Sequence, residues 1–282
     1  MATRRGYPTA SDQAVIAEQS PPAALGARNL GLGSVDVELL LSGHRFVTVG
    51  VPHALVLATI AVVAAALVIL GWRHRGTPTP WRLSRVLAVV FAAILLFNEV
   101  YWLFFGPSEI KYSLPLQLCD LAAIAAVWAL WSHSPTAFAL TYFWGLTLTT
   151  QALLSPELTG PGFPSLRFLS FFGLHSSAVL AAIYLTWGVG LRPDWRSYRV
   201  AVLATICWGV VMFAFDQVTA TNYGFLDTKP QVTSLLDVLG PWPWYLLVEV
   251  LLGAAVWALI TWPWVRQRAP STPDASAPWA RL

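Results

Sequence analysis

From about residue 50 onward the chain is a succession of long apolar runs broken by short polar stretches. A membrane-spanning helix needs about 20 mostly apolar residues. Seven runs meet that length: Pro52–Trp72, Val86–Phe105, Leu114–Ser132, Thr136–Leu154, Phe168–Gly190, Val200–Thr221 and Trp242–Trp264. The apolar segment within Asp36–Phe46 is too short to cross and suits a helix lying in the membrane interface. Residues 1–34 are polar and rich in Gly, Ala and Pro, and residues 266–282 are polar with Pro270, Pro273 and Pro278. Both read as disordered tails. The expectation is an all-α polytopic membrane protein, a bundle of seven transmembrane helices over residues 35–265. No repeat relates its halves, as it would in a transporter built from inverted units.

Composition agrees. The chain is 56% hydrophobic and only 11% charged, against about 25% charge in a soluble domain. Its mean hydropathy is +0.61. The net charge of +3 is carried largely by arginines beside the apolar runs, which excludes a nucleic-acid surface and points to membrane topology. Many of the 15 tryptophans stand at the ends of runs, where interfacial belts form. The Arg4-Arg5 pair has no apolar stretch behind it and is not read as a signal peptide.

Loop charge predicts the orientation. With the N-terminus outside, the cytoplasmic side holds Arg73, Arg75, Arg82, Arg85, Arg192, Arg196, Arg199, Arg266, Arg268 and Arg281, and the outer side holds Arg45, Lys111, Arg167 and Lys229. Ten cations against four favour an outside N-terminus and a cytoplasmic C-terminus. On that topology the strongly polar residues inside the spans fall in the outer half. His53, Glu99, Gln151, Asp216 and Gln217 lie near outer helix ends. Cys119 and Asp120 are about 8–9 Å below the start of the third helix, and His175 and Glu249 are each about 10 Å down theirs. Charged groups at depth cost at least ~2.5 kcal/mol each on insertion scales. A shared polar pocket in the outer half accounts for them together; snorkelling alone accounts for His53, Glu99 and Gln151.

Two cysteines, Cys119 and Cys207, stand in apolar runs with no CxxC spacing, and the five histidines form no HExxH pair. Neither a disulfide framework nor a metal site is expected, and no dissociable cofactor. A thiol becomes a nucleophile when a base favours its thiolate. Cys119 therefore needs a partner, and His175 is the histidine at similar depth on a helix entering from the same side. Asp120, Glu99, Asp216 or Glu249 is the candidate to orient the imidazole, as the third member of a triad does. Gln151 belongs to the same layer, and Asn222 and Tyr223 either cap the pocket or shape a turn. Against this stands the plainer reading, in which a Cys in an apolar helix is a small packing residue and a membrane histidine bonds to a backbone carbonyl or a neighbouring helix. Cys207 is read only in that way.

Five stretches carry a resemblance: LPLQLCDLAAI (Leu114–Ile124), YFWGLTLTTQALLSPEL (Tyr142–Leu158), GFPSLRFLSFFGLH (Gly162–His175), TNYGFLDTKP (Thr221–Pro230) and SLLDVLGPWPWYLL (Ser234–Leu247). Together they resemble the YwaF-like integral membrane protein family over roughly residues 45–265. The vertebrate relatives in that family are transmembrane lipid acyltransferases that make polyunsaturated ether phospholipids. The resemblance implies that the cysteine of the PLxLC motif, here Cys119, carries the acyl group, and that a histidine two helices later, here His175, is its base. The architecture is also similar to the androgen-induced lipid hydrolases, which pair a threonine with a histidine. The partners implied are membrane lipids, a phospholipid acyl donor and a lyso-lipid acceptor, in a bacterial plasma membrane. The resemblance does not carry the substrate, and the long polar N-terminal tail departs from the compact family pattern. Two other classes compete with an enzyme: a transporter or channel using the carboxylates and His175 as a path, and a non-catalytic lipid- or partner-binding membrane protein.

Overall fold

The computed structural model describes residues 46–105, 114–156, 158, 160–229 and 235–267. The expected N-terminal tail, the interfacial segment ahead of Phe46, the loop at 106–113 and the C-terminal tail beyond Gln267 lie outside the described residues. The described part is helical: α1 (Val51–Arg73), α2 (Thr79–Phe105), α3 (Leu118–Ser132), α4 (Pro135–Phe143), α5 (Thr150–Leu154), α6 (Leu166–Ile183), α7 (Trp195–Thr219) and α8 (Trp244–Arg266). A π-helical turn, Trp144–Thr149, joins α4 to α5 without a break, and another, Tyr184–Val189, extends α6.

Five helices are long and apolar enough to cross a membrane: α1, α2, α6 with its π turn, α7 and α8. α3 is shorter, with 15 residues, or about 22 Å at 1.5 Å per residue. It starts at Leu118 instead of the expected Leu114. Pro115 stands in the preceding stretch, and Gln117 takes the N-cap in extended geometry. It ends where His133 turns left-handed (φ 52°). Ser134 then caps α4, accepting from the Ala137 N–H, with Pro135 in the first turn. Two other boundaries move the opposite way. α2 begins at Thr79 and α7 at Trp195, so Arg82, Arg85, Arg196 and Arg199 lie within the first two turns of helices and not in loops. Long guanidinium side chains allow this, because the stem lies along apolar surface while the charge reaches water. Asp194 caps α7 by accepting from the Ser197 N–H at 2.8 Å.

The interior is built on small residues. Ala88 of α2, Ala122, Ala126 and Ala129 of α3, Ala137 of α4, Ala178 and Ala181 of α6, and Ala201 of α7 are buried in one cluster with Tyr142, Phe143, Trp144 and Tyr184. In lipid, apolar burial gives no preference for protein over solvent, so close backbone approach and van der Waals packing hold helices together. Gly145 shows how close that approach is: a Cβ there would sit 2.8 Å from the Ala178 carbonyl oxygen. α6 with its π turn is the central rod, with 72% of its apolar window buried, against 11–22% for the other four long helices.

The two ends of the bundle differ in chemistry. At one, Arg75 Nε donates to the Gly188 carbonyl at 3.0 Å, and Tyr184 Oη donates to Pro80 O at 2.8 Å. Arg85 lies over Trp81 and Trp131, Arg192 over Trp264, and Arg266 over Trp262. The buried hydroxyls towards this end, those of Ser84, Thr141, Thr186 and Thr261, donate to carbonyls four residues back on their own helices, and Ser84 Oγ also lies 3.0 Å from His133 Nε2. The opposite end carries Glu99, Asp120, Asp216 and Asp227.

Candidate functional site

The first turn of α3 is held from three directions. Asp120 Oδ2 accepts from the Gln117 N–H at 3.1 Å, closing the turn on itself. Gln117 Oε1 accepts from the Gly224 N–H at 3.2 Å, and Trp208 Nε1 of α7 donates to Leu116 O at 2.9 Å. Tyr223 Oη reaches Leu114 O at 3.4 Å. Gly224 is left-handed (φ +64°), and a Cβ on it would come within 2.2 Å of the Trp208 ring, so only glycine fits there. Cys119 stands in this clamped turn, half-buried.

The clamping loop is itself fastened by Asp216, near the end of α7 and 1% exposed. Its Oδ1 accepts from Thr221 Oγ1 at 2.6 Å and from the Tyr223 N–H at 3.0 Å, while Oδ2 is buried without a hydrogen-bond partner. Tyr223 is fully buried. Burial, followed by the negative charges of Asp120, Asp216 and Glu99, pushes its hydroxyl up to about 12. Carboxylates from α2, α3 and α7 thus bear on one phenol, which stays protonated and donates.

His175 lies on α6, 7% exposed, with its ring stacked on Phe171 at 4.2 Å between centroids. Its Nδ1 is 2.7 Å from the Phe171 carbonyl oxygen. A carbonyl only accepts, so Nδ1 carries the proton, and in the neutral ring Nε2 holds the lone pair. Nδ1 is thus held by a backbone carbonyl of its own helix, the kind of partner the plainer sequence reading gives a membrane histidine. α6 packs directly against α3. One turn nearer the start of α6, Ser170 Oγ donates to Asn98 Oδ1, and Asn98 Nδ2 donates to Glu99 Oε1 at 3.1 Å, tying α6 to α2.

The model of the TMEM164 family matches residues 48–261. The chain belongs to the TMEM164 family. No curated protein and no solved structure matches. A transmembrane family and several apolar helices together make this an integral membrane protein.

Within the TMEM164 stretch, the remaining candidates separate. Asn222 shapes a turn: its Oδ1 accepts from the Asp227 and Thr228 N–H groups, and its Nδ2 donates to Thr228. Gln151 is exposed. Glu249 is half-buried on α8, near enough to Tyr245 to act on it electrostatically. His53 has both ring nitrogens engaged, Nδ1 accepting from the Val49 N–H and Nε2 donating to Leu153 O, and so is a structural residue. Cys207, expected to be a packing residue, is exposed on α7.

Sequence reasoning missed Gln117, Trp208, Asn98 and Ser170. The Gln117–Asp120 spacing is that of a reciprocal helix-capping pair and signalled the first of them. Nothing local signals the other three, whose partners lie on other helices. Surface grooves are present among the described residues. One, about 660 Å³, runs along α8 beside Trp195, and another, about 390 Å³, lies between α2 and α3. Neither is lined by Cys119 or His175.

Proposed function

We propose that this TMEM164-family chain is a lipid acyltransferase or acyl hydrolase of the membrane, with Cys119 as nucleophile and His175 as general base, in the outer half of the bilayer. The observation that carries the reading is the His175 tautomer. A ring whose Nδ1–H is committed to a carbonyl offers Nε2 as a base, on the helix packed against the one that begins beside Cys119. In the first half-reaction the thiol gives its proton to Nε2 and the sulfur attacks an ester carbonyl of a phospholipid. The ester C–O bond breaks, a thioester forms, and the proton passes to the departing lyso-lipid oxygen. In the second, an acceptor hydroxyl (of a lyso-lipid or of water) gives its proton to Nε2 and attacks the thioester, releasing the thiol. The donor is itself a lipid, so no cofactor is needed.

The finer architecture belongs to the same proposal. α3 and the continuous α4–α5 run join the five long helices as spans, giving seven, with the arginine end cytoplasmic and the N-terminus outside. What supports this is the excess of cations at one end, where Arg75, Arg85, Arg192 and Arg266 lie, over Arg167 and Lys229 at the other. The motifs that resemble the YwaF-like branch favour a bacterial plasma membrane.

The test uses purified protein in liposomes holding a phospholipid donor and a lyso-lipid acceptor, with acyl exchange followed by lipid mass spectrometry. Cys119→Ala is expected to abolish exchange, and His175→Ala to slow it by about 10²–10⁴-fold. Unchanged exchange in both variants would sink the mechanism.

A further inference from the structure

The groove along α8 lies at the arginine end of the bundle, away from Cys119 and His175. It is lined by Trp195 at the start of α7 and by Ala255, Ala258, Leu259, Trp262, Val265 and Arg266 of α8, and is an open trough of about 660 Å³. That is the size of a small-ligand pocket. Its wall is apolar except at one end, where the Arg266 guanidinium lies 5.7 Å over the Trp262 ring. Ala255 and Ala258 keep the floor low, while Trp195, Leu259 and Trp262 stand exposed around it. An apolar trough closed by a cation has the shape and polarity of an acyl chain leading to an anionic headgroup.

The surrounding charge points the same way. Among the described residues, this end of the bundle carries Arg73, Arg75, Arg82, Arg85, Arg192, Arg196, Arg199 and Arg266, and Asp194 is the carboxylate that accompanies them. Asp194 accepts from the Ser197 N–H and Oγ at the start of α7, one carboxylate against eight guanidinium groups. Arg196 and Arg199 are exposed on the first turns of α7, next to Trp195 of the groove wall. An anionic lipid is thereby drawn to the groove mouth by several guanidinium groups at once, and a zwitterionic one much less.

We propose that this groove is a binding site for one anionic phospholipid, with an acyl chain against Ala255, Ala258 and Leu259 and the headgroup phosphate at Arg266. The site is separate from the acyl-transfer reading and stands or falls without it.

Native mass spectrometry of the full chain released from nanodiscs of equal phosphatidylglycerol and phosphatidylcholine tests the site. Retention of phosphatidylglycerol over phosphatidylcholine is expected, and Arg266→Gln should reduce that preference about five-fold. Arg266→Lys should restore most of it, because the attraction is to charge. Arg73→Gln, which removes a cation from the same end but outside the groove, should change it less than Arg266→Gln. Ala258→Trp, which fills the trough, should lower retention of both lipids. Four results would overturn the site: equal retention of the two lipids, an Arg73→Gln loss as large as that of Arg266→Gln, unaltered retention in Ala258→Trp, or displacement of the lipid by free glycerophosphoglycerol.

Discussion

α6 with its π turn and the pair α7 and α8 are made of similar residues and live in opposite surroundings. All three are strongly apolar and of spanning length, yet 72% of the α6 window is buried against 11% for α7 and 17% for α8. A lipid-facing helix and a protein-facing helix are both apolar, so hydropathy does not tell them apart. Small residues do. α6 presents Ala178, Ala181 and Ala182 to its neighbours at 0% exposure, and it receives Gly145 against the Ala178 carbonyl. α7 presents Val210, Val211 and Val218, all exposed. The polar groups follow the same division. His175 is on the buried rod, and the buried carboxylate of α7, Asp216, lies where that helix ends and its loop folds back over α3.

The sharpest way to break this comparison is to add volume on each side of it. Gly145→Val forces a side chain onto the α6 backbone and is expected to cost about 3 kcal/mol, read as a lower unfolding midpoint in detergent. Gly209→Val on α7 and Gly253→Val on α8 meet nothing within 4 Å and should stay within about 0.5 kcal/mol. Similar losses at all three glycines would mean that α7 and α8 are packed as tightly as α6.

Asp216→Ala comes next. It leaves the Tyr223 N–H and the Thr221 hydroxyl without their acceptor, at an expected cost of about 2 kcal/mol, and frees the loop that grips Leu114–Gln117. Faster modification of Cys119 by a maleimide should accompany the lower midpoint. A lower midpoint with unchanged thiol reactivity would separate the loop from the α3 turn. Asn98→Ala removes the α2–α6 link through Ser170 and should cost about 1 kcal/mol.

The smallest effect is a pH slope at the arginine end. Burial, followed by the positive charge of Arg85, holds the His133 pKa below its ordinary 6.5. The unfolded chain therefore takes up this proton before the folded one does. The contribution to stability is complete above about pH 6.5 and is lost as pH falls from there towards the lowered folded value. His133→Asn should flatten that part of the midpoint-against-pH curve, and an unaltered curve would assign the slope elsewhere.

How much of this was legible in the sequence follows from the same physics. The apolar runs marked every long helix, because a bilayer imposes length and composition, but placed the start of α2 seven residues late and that of α7 five. The first turns of α2 and α7 were misplaced because Arg82, Arg85, Arg196 and Arg199 interrupt hydropathy without interrupting the helix. Of the polar residues expected to share one layer, Asp216 and Tyr223 meet beside the α3 turn. Their connections were not legible. Gln151 and Asp216 look alike in sequence, as polar residues at helix ends, but one is exposed and the other carries a loop. The partner of His175 Nδ1 is the backbone carbonyl that the plainer sequence reading allowed, four residues back on the same helix.

The central claim, that Cys119 carries an acyl group with His175 as its base, is tested most directly by the intact mass of the protein after incubation with a single defined phospholipid. The account predicts an added mass of one acyl chain, located at Cys119 and removed by hydroxylamine as a thioester is. It should be absent in Cys119→Ala and strongly reduced in His175→Ala. An unmodified Cys119 in protein that is actively exchanging acyl chains would contradict it.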